Sequence, residues 1–191
     1  MTTESPRKFR VGISLSGGGA KGIAHLGVLQ ALEECGFKPQ VIAGVSAGAI
    51  IGALYADGKS PKEICQFFKD SGFFKFVKIV VPKKGVMSTE RFYNLLDGFL
   101  TAKTFEELQM PLTINATELI EGKNVYFNSG SLVDKIVASS SVPIFLTPKE
   151  MEGKVYVDGG IFCNMPAKVI RQDCDILFGV HVNPIVTEGS I

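Results

Sequence analysis

The sequence predicts an α/β fold built around a largely parallel sheet, and two consecutive strand, loop and helix units indicate it. In the first unit, the apolar run FRVGISLS (9–16) ends in glycines and leads into the helical pattern AKGIAHLGVLQALEECG (20–36). The second unit repeats this order, with PQVIAGVS (39–46) followed by the small-residue helix AGAIIGALYADG (47–58). Strands joined through helices run parallel, and the helices cover the faces of the sheet.

The rest of the chain continues with amphipathic helices and short strands. Ser60, Pro61 and Glu63 stand at the N-cap, first and third helical positions of a helix predicted over 61–71. A weaker capping box stands at 104–107. Further helices are predicted at 88–100 and 131–141, and further strands at 111–119, 124–129, 154–160 and 175–184.

Length and composition favour a single domain over 1–191. A chain of 191 residues is long enough for one sizeable core and short for two. Apolar residues make up 46% of the chain, charged residues make up 20%, and the net charge is +1. This composition excludes a disordered chain and lacks the basic field that nucleic-acid binding requires. We therefore expect no nucleic-acid partner, while composition leaves the oligomeric state open.

The cysteines and the apolar segments bear on the cellular compartment. The four cysteines stand far apart in the sequence and form no CxxC pair, at Cys35, Cys65, Cys163 and Cys174. This spacing argues against a zinc site and against a disulfide framework. The most apolar stretch, 44–56, is too short to span a bilayer. The sequence therefore predicts free thiols and a cytoplasmic location.

The segment GVSAG, residues 44–48, matches the G-x-S-x-G pattern of a nucleophile elbow. In such an elbow a sharp turn between strand and helix lifts the serine hydroxyl clear of the sheet, and the flanking glycines avoid side-chain clashes. A predicted strand precedes Ser46 and a predicted helix follows it, as the pattern requires. The alternative is a small-residue turn in a glycine-rich chain, with Gly44 and Gly48 there only for packing.

The segment SGGGAKG, residues 16–22, supports two different functions. Gly17, Gly19 and Gly22 satisfy the G-x-G-x-x-G fingerprint of dinucleotide binding, after a strand and at the start of a helix. That function needs an acidic residue near the end of the second strand, where this chain has Ser46. Backbone N–H groups at a helix N-terminus equally suit an oxyanion. A third possibility is a glycine turn that permits close strand–helix packing.

A serine nucleophile needs a base, and the chain has only two histidines. Asp158 followed by His181 satisfies the order serine, acid, histidine of one triad class. However, His181 lies in the apolar run ILFGVHV, which favours a structural histidine in a strand, and His25 lies in the first predicted helix. Asp158 ends a strand and precedes two glycines, so its side chain can reach a neighbouring loop. The alternative for Asp158 is an ordinary Asp-Gly turn.

Three motifs in one order, SGGGAKG followed by IAHLGVLQAL, then GVSAG, then DGGIFCNMP, resemble the patatin-like phospholipase family. The segments INATELIEGKNVYFNSG and IVASSSVPIFLTP are also similar to the middle region of that family. The resemblance covers about residues 11–184. It implies a three-layer α/β/α sandwich with a central, mostly parallel sheet. Relatives often continue into further helix past the last predicted strand, and the sequence leaves open whether a C-terminal segment follows Ile191.

The resemblance also implies a role for each motif. Ser46 corresponds to the family nucleophile and Asp158 to its base, so the expected site is a Ser-Asp dyad without cofactor or metal. The oxyanion hole corresponds to the loop of Gly17, Gly18 and Gly19. Lys21 stands where the family often has arginine. The supporting residues in these motifs are Lys21, Gly44, Gly48, Gly159 and Gly160.

The function implied is a serine lipid acyl hydrolase, similar to a phospholipase A or a lysophospholipase, that works through an acyl-enzyme intermediate. Its substrate would be a phospholipid or another acyl-ester lipid. Two alternatives stay open. One is a dinucleotide-binding oxidoreductase that uses the 17–22 glycine loop, and the other is a catalytically inactive lipid-binding regulatory module.

One further segment, 72–85, has a composition typical of contact with a membrane surface. Its sequence, GFFKFVKIVVPKKG, contains three phenylalanines, four lysines and no acidic residue. Apolar insertion and lysine attraction would together favour an anionic lipid surface. A core segment with solvated lysines is an equal alternative.

Overall fold

The structure, a computed structural model, describes residues 9–71 and 89–184. Its strands are β1 (Val11–Leu15), β2 (Val41–Val45), β3 (Leu112–Glu118), β4 (Lys123–Phe127), β5 (Lys149–Met151), β6 (Lys154–Asp158) and β7 (Ile176–Val180). Its α-helices are α1 (Ala24–Glu34), α2 (Ala47–Ala56), α3 (Pro61–Asp70), α4 (Thr89–Phe99) and α5 (Leu132–Ser140). Short 3-10 helices cover Gly19–Ile23, Phe105–Glu107, Gly159–Ile161 and Ala167–Asp173.

The seven strands form one mixed sheet in the order β5-β6-β3-β2-β1-β7, with β4 also paired to β3. The strands β3, β2, β1 and β7 are parallel to one another, as expected for strands connected through helices. By contrast, β4 and β6 run antiparallel to β3, and β5 runs antiparallel to β6. This arrangement confirms the predicted α/β fold and adds an antiparallel region on one side of the parallel strands.

Strand β3 pairs with three other strands, and this pairing positions Ser46 and Asp158. β4 pairs with Ile114 through Glu118 and so occupies one edge of β3. The other edge is shared, because β2 pairs with the first half of β3 up to Asn115 and β6 pairs with the second half from Ala116 onward. Since β2 runs parallel and β6 antiparallel to β3, the carboxyl ends of β2 and β6 meet head to head. Val45 is opposite Asn115, and Asp158 is opposite Ala116.

The sheet packs its two faces against different partners. Side chains such as Ile13, Leu15 and Ile42 belong to the main core, which also contains buried residues of all five α-helices. On the opposite face, Val41 and Ala43 pack against Ile170 of the 3-10 helix Ala167–Asp173. All ten residues of α2 are buried, which explains its unbroken run of small and apolar residues.

Several elements differ from the sequence predictions. The first helix begins as a 3-10 turn, Gly19–Ile23, before α1 starts at Ala24. The capping box predicted at 104–107 becomes a 3-10 helix in which Thr104 makes no side-chain cap. The short strand β5 and the 3-10 helix Ala167–Asp173 carry no clear periodicity and were not expected. His181 was expected inside a strand, but it follows the last residue of β7 and is exposed.

The segment predicted to contact a membrane, 72–85, lies outside the described residues, so its role stays a prediction. Across residues 9–71 and 89–184, no helix combines the length and apolarity needed to cross a bilayer.

The capping box at the start of α3 is confirmed and yields a stability prediction. The Ser60 hydroxyl accepts the Glu63 N–H at 3.3 Å, and the Glu63 carboxylate accepts the Ser60 N–H at 2.8 Å. We expect Ser60→Ala to lower the free energy of unfolding by about 1 kcal/mol, measured by urea denaturation. Ser60→Asp keeps an acceptor at the N-cap and serves as the control. An equal loss in both variants would contradict a capping role.

Candidate active site

Ser46 occupies a strained turn between β2 and α2. Its backbone has φ 53° and ψ −120°, a combination that residues with a side chain rarely adopt. The turn is held by its neighbours: the Ser46 N–H donates to the Ser139 hydroxyl at 2.9 Å, and Ser139 Oγ donates to the Asn115 carbonyl at 2.6 Å. Since α2 begins at Ala47, the positive end of its dipole lies at Ser46. These features are those of a nucleophile elbow.

The glycines on either side of Ser46 are required by close backbone contacts. A Cβ at Gly44 would lie 2.6 Å from the Gly48 carbonyl oxygen, and a Cβ at Gly48 would overlap the Leu15 carbonyl. Helix α2 therefore approaches β1 and β2 more closely than any residue with a side chain would permit. Gly44 and Gly48 thus avoid the side-chain clashes that the G-x-S-x-G motif predicts for other residues at these positions.

Asp158 is the last residue of β6 and is 7% exposed. Its N–H donates to the Ser141 carbonyl at 2.9 Å, and its Oδ1 accepts the Gly160 N–H at 2.7 Å. Burial raises the pKa of the Asp158 carboxyl above its ordinary value, although hydrogen bonds from the Ser46 hydroxyl and the Gly160 N–H act in the opposite direction. A carboxylate with a raised pKa is a better proton acceptor. The hydrogen bond from the Ser46 hydroxyl also shows that the fold brings together Ser46 and Asp158, which are 112 residues apart in the sequence.

Asn115 holds the turn that follows Asp158. Its side-chain N–H₂ donates to the carbonyls of Gly159 and Cys163, at 3.1 Å and 2.8 Å. Gly159 packs directly on the Asn115 backbone, where a Cβ would overlap the carbonyl oxygen. A Cβ at Gly160 would lie 2.9 Å from both Asp158 Oδ1 and Asn164 Oδ1. Both glycines of the motif are therefore needed for the approach of this turn to β3 and to Asp158.

The glycine loop lies directly beside Ser46. A Cβ at Gly17 would be 3.2 Å from the Ser46 Cβ and 2.6 Å from Asn164 Oδ1. Within residues 9–71 and 89–184, the N–H groups of Gly17, Gly18 and Gly19 donate to no protein acceptor. Free N–H groups beside a serine hydroxyl are suited to bind a negatively charged oxygen.

The remaining predicted residues lie at the margin of this cluster. Lys21 is exposed and points to Asn183, with Nζ 3.5 Å from Oδ1, so it contacts neither Ser46 nor Asp158. His181 Nδ1 lies 3.0 Å from the Asn183 carbonyl oxygen, and its Nε2 lies 3.4 Å from Asn164 Nδ2. No hydrogen bond of the described chain joins His181 to Asp158, so the triad alternative gains no geometric support.

Four polar residues that contact the site were missed by sequence reasoning: Asn115, Ser139, Asn164 and Asn183. One of them carried a signal, because asparagine is depleted in strands and Asn115 lies inside the strand predicted at 111–119. Such a residue indicates a specific hydrogen-bonding role. Ser139 lies at the end of α5, and Asn164 and Asn183 lie in loops, where polar residues are ordinary.

The dinucleotide alternative gains no support from the structure. The residue after β2 is Ser46, so the position that would bind a ribose hydroxyl has no carboxylate. The Val182 side chain packs against Gly18, where a Cβ would overlap its Cγ2.

In the described part of the chain, no group of three or more His, Cys, Asp or Glu side chains is arranged to hold a metal ion.

One family model and several curated relatives are similar to this chain. The model of the family described as patatin-like phospholipase matches residues 13–170. An uncharacterized NTE family protein of Mycobacterium tuberculosis is 33% identical over 178 residues, which is 91% of this chain and 49% of the relative. The patatin-like phospholipase domain-containing protein 7 of Rattus norvegicus is 30% identical over 85% of this chain and 13% of its own length. The chain thus spans about half the length of the mycobacterial relative and much less of the rat protein.

A solved structure shares the fold. The crystal structure of VipD from Legionella pneumophila superposes with a TM-score of 0.58 at 17% sequence identity, and it covers 84% of this chain and 47% of VipD. At this identity the likeness concerns the fold alone.

The raised pKa of Asp158 predicts a pH-dependent stability difference. The folded state binds the Asp158 proton more tightly than the unfolded state does. The contribution of Asp158 to the free energy of unfolding therefore falls as the pH rises from the ordinary pKa of aspartate through the raised pKa of the folded state. We therefore expect Asp158→Asn to gain stability relative to the wild type as pH rises from about 4 to about 8, measured by urea denaturation.

Asp134 provides the control with the opposite sign. Burial raises the pKa of the Asp134 carboxyl, but hydrogen bonds from Lys149 and Ser131 and the charge of Lys149 outweigh it and leave the pKa lowered. Its ionised form therefore stabilises the fold at neutral pH, and that stability is lost as pH falls through the lowered pKa. Asp134→Asn should accordingly lose stability relative to the wild type near pH 7. A parallel response of the two variants would contradict the assignment for Asp158.

Proposed function

The chain belongs to the patatin-like phospholipase family, and from that premise we propose that it is a serine hydrolase of lipid acyl esters. Its substrates would be phospholipids or lysophospholipids, cleaved by Ser46 with Asp158 as the base. The names of two relatives support ester hydrolysis, since one is a patatin-like phospholipase domain-containing protein of Rattus norvegicus and another a neuropathy target esterase of Drosophila melanogaster.

The observation that carries the proposal is the head-to-head meeting of β2 and β6 on one edge of β3. It sets the Ser46 hydroxyl against the Asp158 carboxylate, both less than one tenth exposed. A hydroxyl in contact with a carboxylate of raised pKa can serve as the nucleophile and base of a two-residue acyl-transfer site, which supports the proposal. The free N–H groups of the glycine loop stand beside them as candidate oxyanion donors.

In the proposed first step, Asp158 accepts the Ser46 proton while Ser46 Oγ attacks the ester carbonyl carbon. The carbonyl oxygen becomes an oxyanion, which the N–H groups of Gly17, Gly18 and Gly19 and the positive end of α2 stabilise. The tetrahedral intermediate collapses as Asp158 returns the proton to the leaving alcohol, and an acyl-enzyme on Ser46 remains.

In the proposed second step, a water molecule replaces the alcohol. Asp158 accepts a proton from that water, and the hydroxide attacks the acyl-enzyme carbonyl in the same oxyanion environment. Collapse releases the fatty acid and returns the proton to Ser46. The raised pKa of Asp158 suits both steps because a stronger base takes a larger share of the proton in the transition state.

Ser46→Ala should abolish hydrolysis of a short-chain nitrophenyl ester, because the hydroxyl that forms the acyl-enzyme is gone. Thermal unfolding will show whether the variant is folded. In the wild type, a fluorophosphonate probe should label Ser46 alone, identified by mass spectrometry of the digested protein. Retained hydrolysis by a folded variant, or labelling at another serine, would disprove the nucleophile assignment.

The base assignment is tested by comparing Asp158→Asn with His181→Ala. The asparagine variant should lose most of the activity, since an amide accepts no proton, whereas the alanine variant should keep most of it. Hydrolysis by the wild type should also persist in EDTA. If a folded His181→Ala protein were as inactive as Ser46→Ala, a histidine triad would replace the dyad.

A further inference from the structure

The glycine loop is held through its carbonyl oxygens. His25 Nε2 donates to the Ser16 carbonyl at 2.8 Å. The Gly17 carbonyl accepts two hydrogen bonds, from Asn183 Nδ2 at 3.1 Å and from Ser16 Oγ at 2.9 Å. The Gly18 carbonyl accepts the Lys21 N–H at 3.1 Å, within the 3-10 turn. Three consecutive peptide groups therefore have their oxygens bound.

Binding a carbonyl fixes the N–H group of the same peptide. A peptide unit is planar and trans, so its N–H points opposite to its C=O. The Ser16 carbonyl and the Gly17 N–H share one peptide unit, and the Gly17 carbonyl and the Gly18 N–H share the next. By binding the Ser16 and Gly17 carbonyl oxygens, the His25 and Asn183 side chains therefore direct the Gly17 and Gly18 N–H groups away from themselves.

We propose that His25 and Asn183 are positioning residues that aim the N–H groups of Gly17 and Gly18 at the oxyanion that forms when Ser46 attacks an ester carbonyl. This inference rests on the proposed function, and it gives a role to two residues that take no part in the chemistry proposed for Ser46 and Asp158. Neither side chain contacts the reacting atoms in this scheme. Each acts through the peptide unit whose carbonyl it binds.

The surroundings of His25 support a role for its Nε2–H as the hydrogen-bond donor to the Ser16 carbonyl. The side chain is fully buried in α1, and Nε2 makes its hydrogen bond to Ser16 while Nδ1 has no partner in the described residues. A buried imidazole with one unsatisfied nitrogen costs stability that an apolar residue would not. Burial also lowers the pKa of the imidazole, which keeps it neutral and preserves Nε2–H as the donor.

Asn183 holds the loop from the opposite end of the chain. It lies three residues after β7, in a segment that binds the loop at several points. The Ser16 N–H donates to the Val180 carbonyl at 3.0 Å, and the Val182 N–H donates to Ser16 Oγ at 3.1 Å. Strand β7 thus brings Asn183 to the Gly17 carbonyl through its parallel pairing with β1.

The test compares variants that keep or remove each donor. His25→Gln places an amide nitrogen three bonds from Cβ, where Nε2 stands, whereas His25→Leu removes the donor at similar volume. Asn183→Asp replaces the donating N–H₂ by an oxygen that repels the Gly17 carbonyl. Asn128→Asp makes the same change at an exposed site and controls for the added charge.

We expect kcat for a short-chain nitrophenyl ester to fall about 10- to 100-fold in His25→Leu and Asn183→Asp, with KM nearly unchanged. His25→Gln should retain most of kcat, and Asn128→Asp should match the wild type. A merely structural role for His25 would lower the stability of His25→Leu without lowering kcat of the folded variant. Wild-type kcat in both donor-removing variants would overturn the inference.

Crystal structures of the same variants separate this inference from the proposed function. The Ser16–Gly17 peptide should reorient in His25→Leu and keep its orientation in His25→Gln, and the Gly17–Gly18 peptide should reorient in Asn183→Asp. If the wild type proves inactive while these peptides reorient, the proposed function fails, and what stands is that His25 and Asn183 set the orientation of the two peptides. Peptides that stay unmoved in both donor-removing variants would overturn the positioning role, whatever the activity.

Discussion

The site depends on one constraint in the sheet, the shared edge of β3. Because β4 covers the other edge, the backbone groups beyond Asn115 need a partner where β2 ends, and β6 supplies it from the opposite direction. Neither strand can extend without displacing the other. The chain must therefore turn at Ser46 and again after Asp158, and the two side chains meet at the junction.

Several local costs accumulate at this junction. Ser46 adopts a left-handed backbone conformation, Asp158 is buried at the expense of its ionised form, and three N–H groups of the glycine loop lack acceptors in the described chain. The strained turn and the buried carboxylate each destabilise the folded state, and all three features suit acyl transfer. Local rules are broken together where the proposed reaction needs a hydroxyl beside its base and unoccupied N–H donors.

The polar residues around the junction show how that strain is maintained. Asn115 binds the turn after Asp158 with its side chain and accepts from Ser139 with its carbonyl, and Ser139 in turn binds the Ser46 backbone. One residue of β3 therefore connects the Ser46 turn with the turn that follows Asp158. Sequence reasoning could have noticed an asparagine in a buried strand, but it had no means of finding its partners, which are far apart in the chain.

The sequence alone determined the α/β class, the strand–loop–helix order and the three motifs, because these depend on periodicity and on glycine spacing within a few residues. It also pointed to Ser46 and Asp158, through short-range patterns and family resemblance. Only the tertiary structure decided how they meet, because the shared edge of β3 is set by pairing between distant strands. The same holds for His181, which an apolar run placed in a strand, and for Asn183, whose contact with Gly17 depends on β7 lying beside β1.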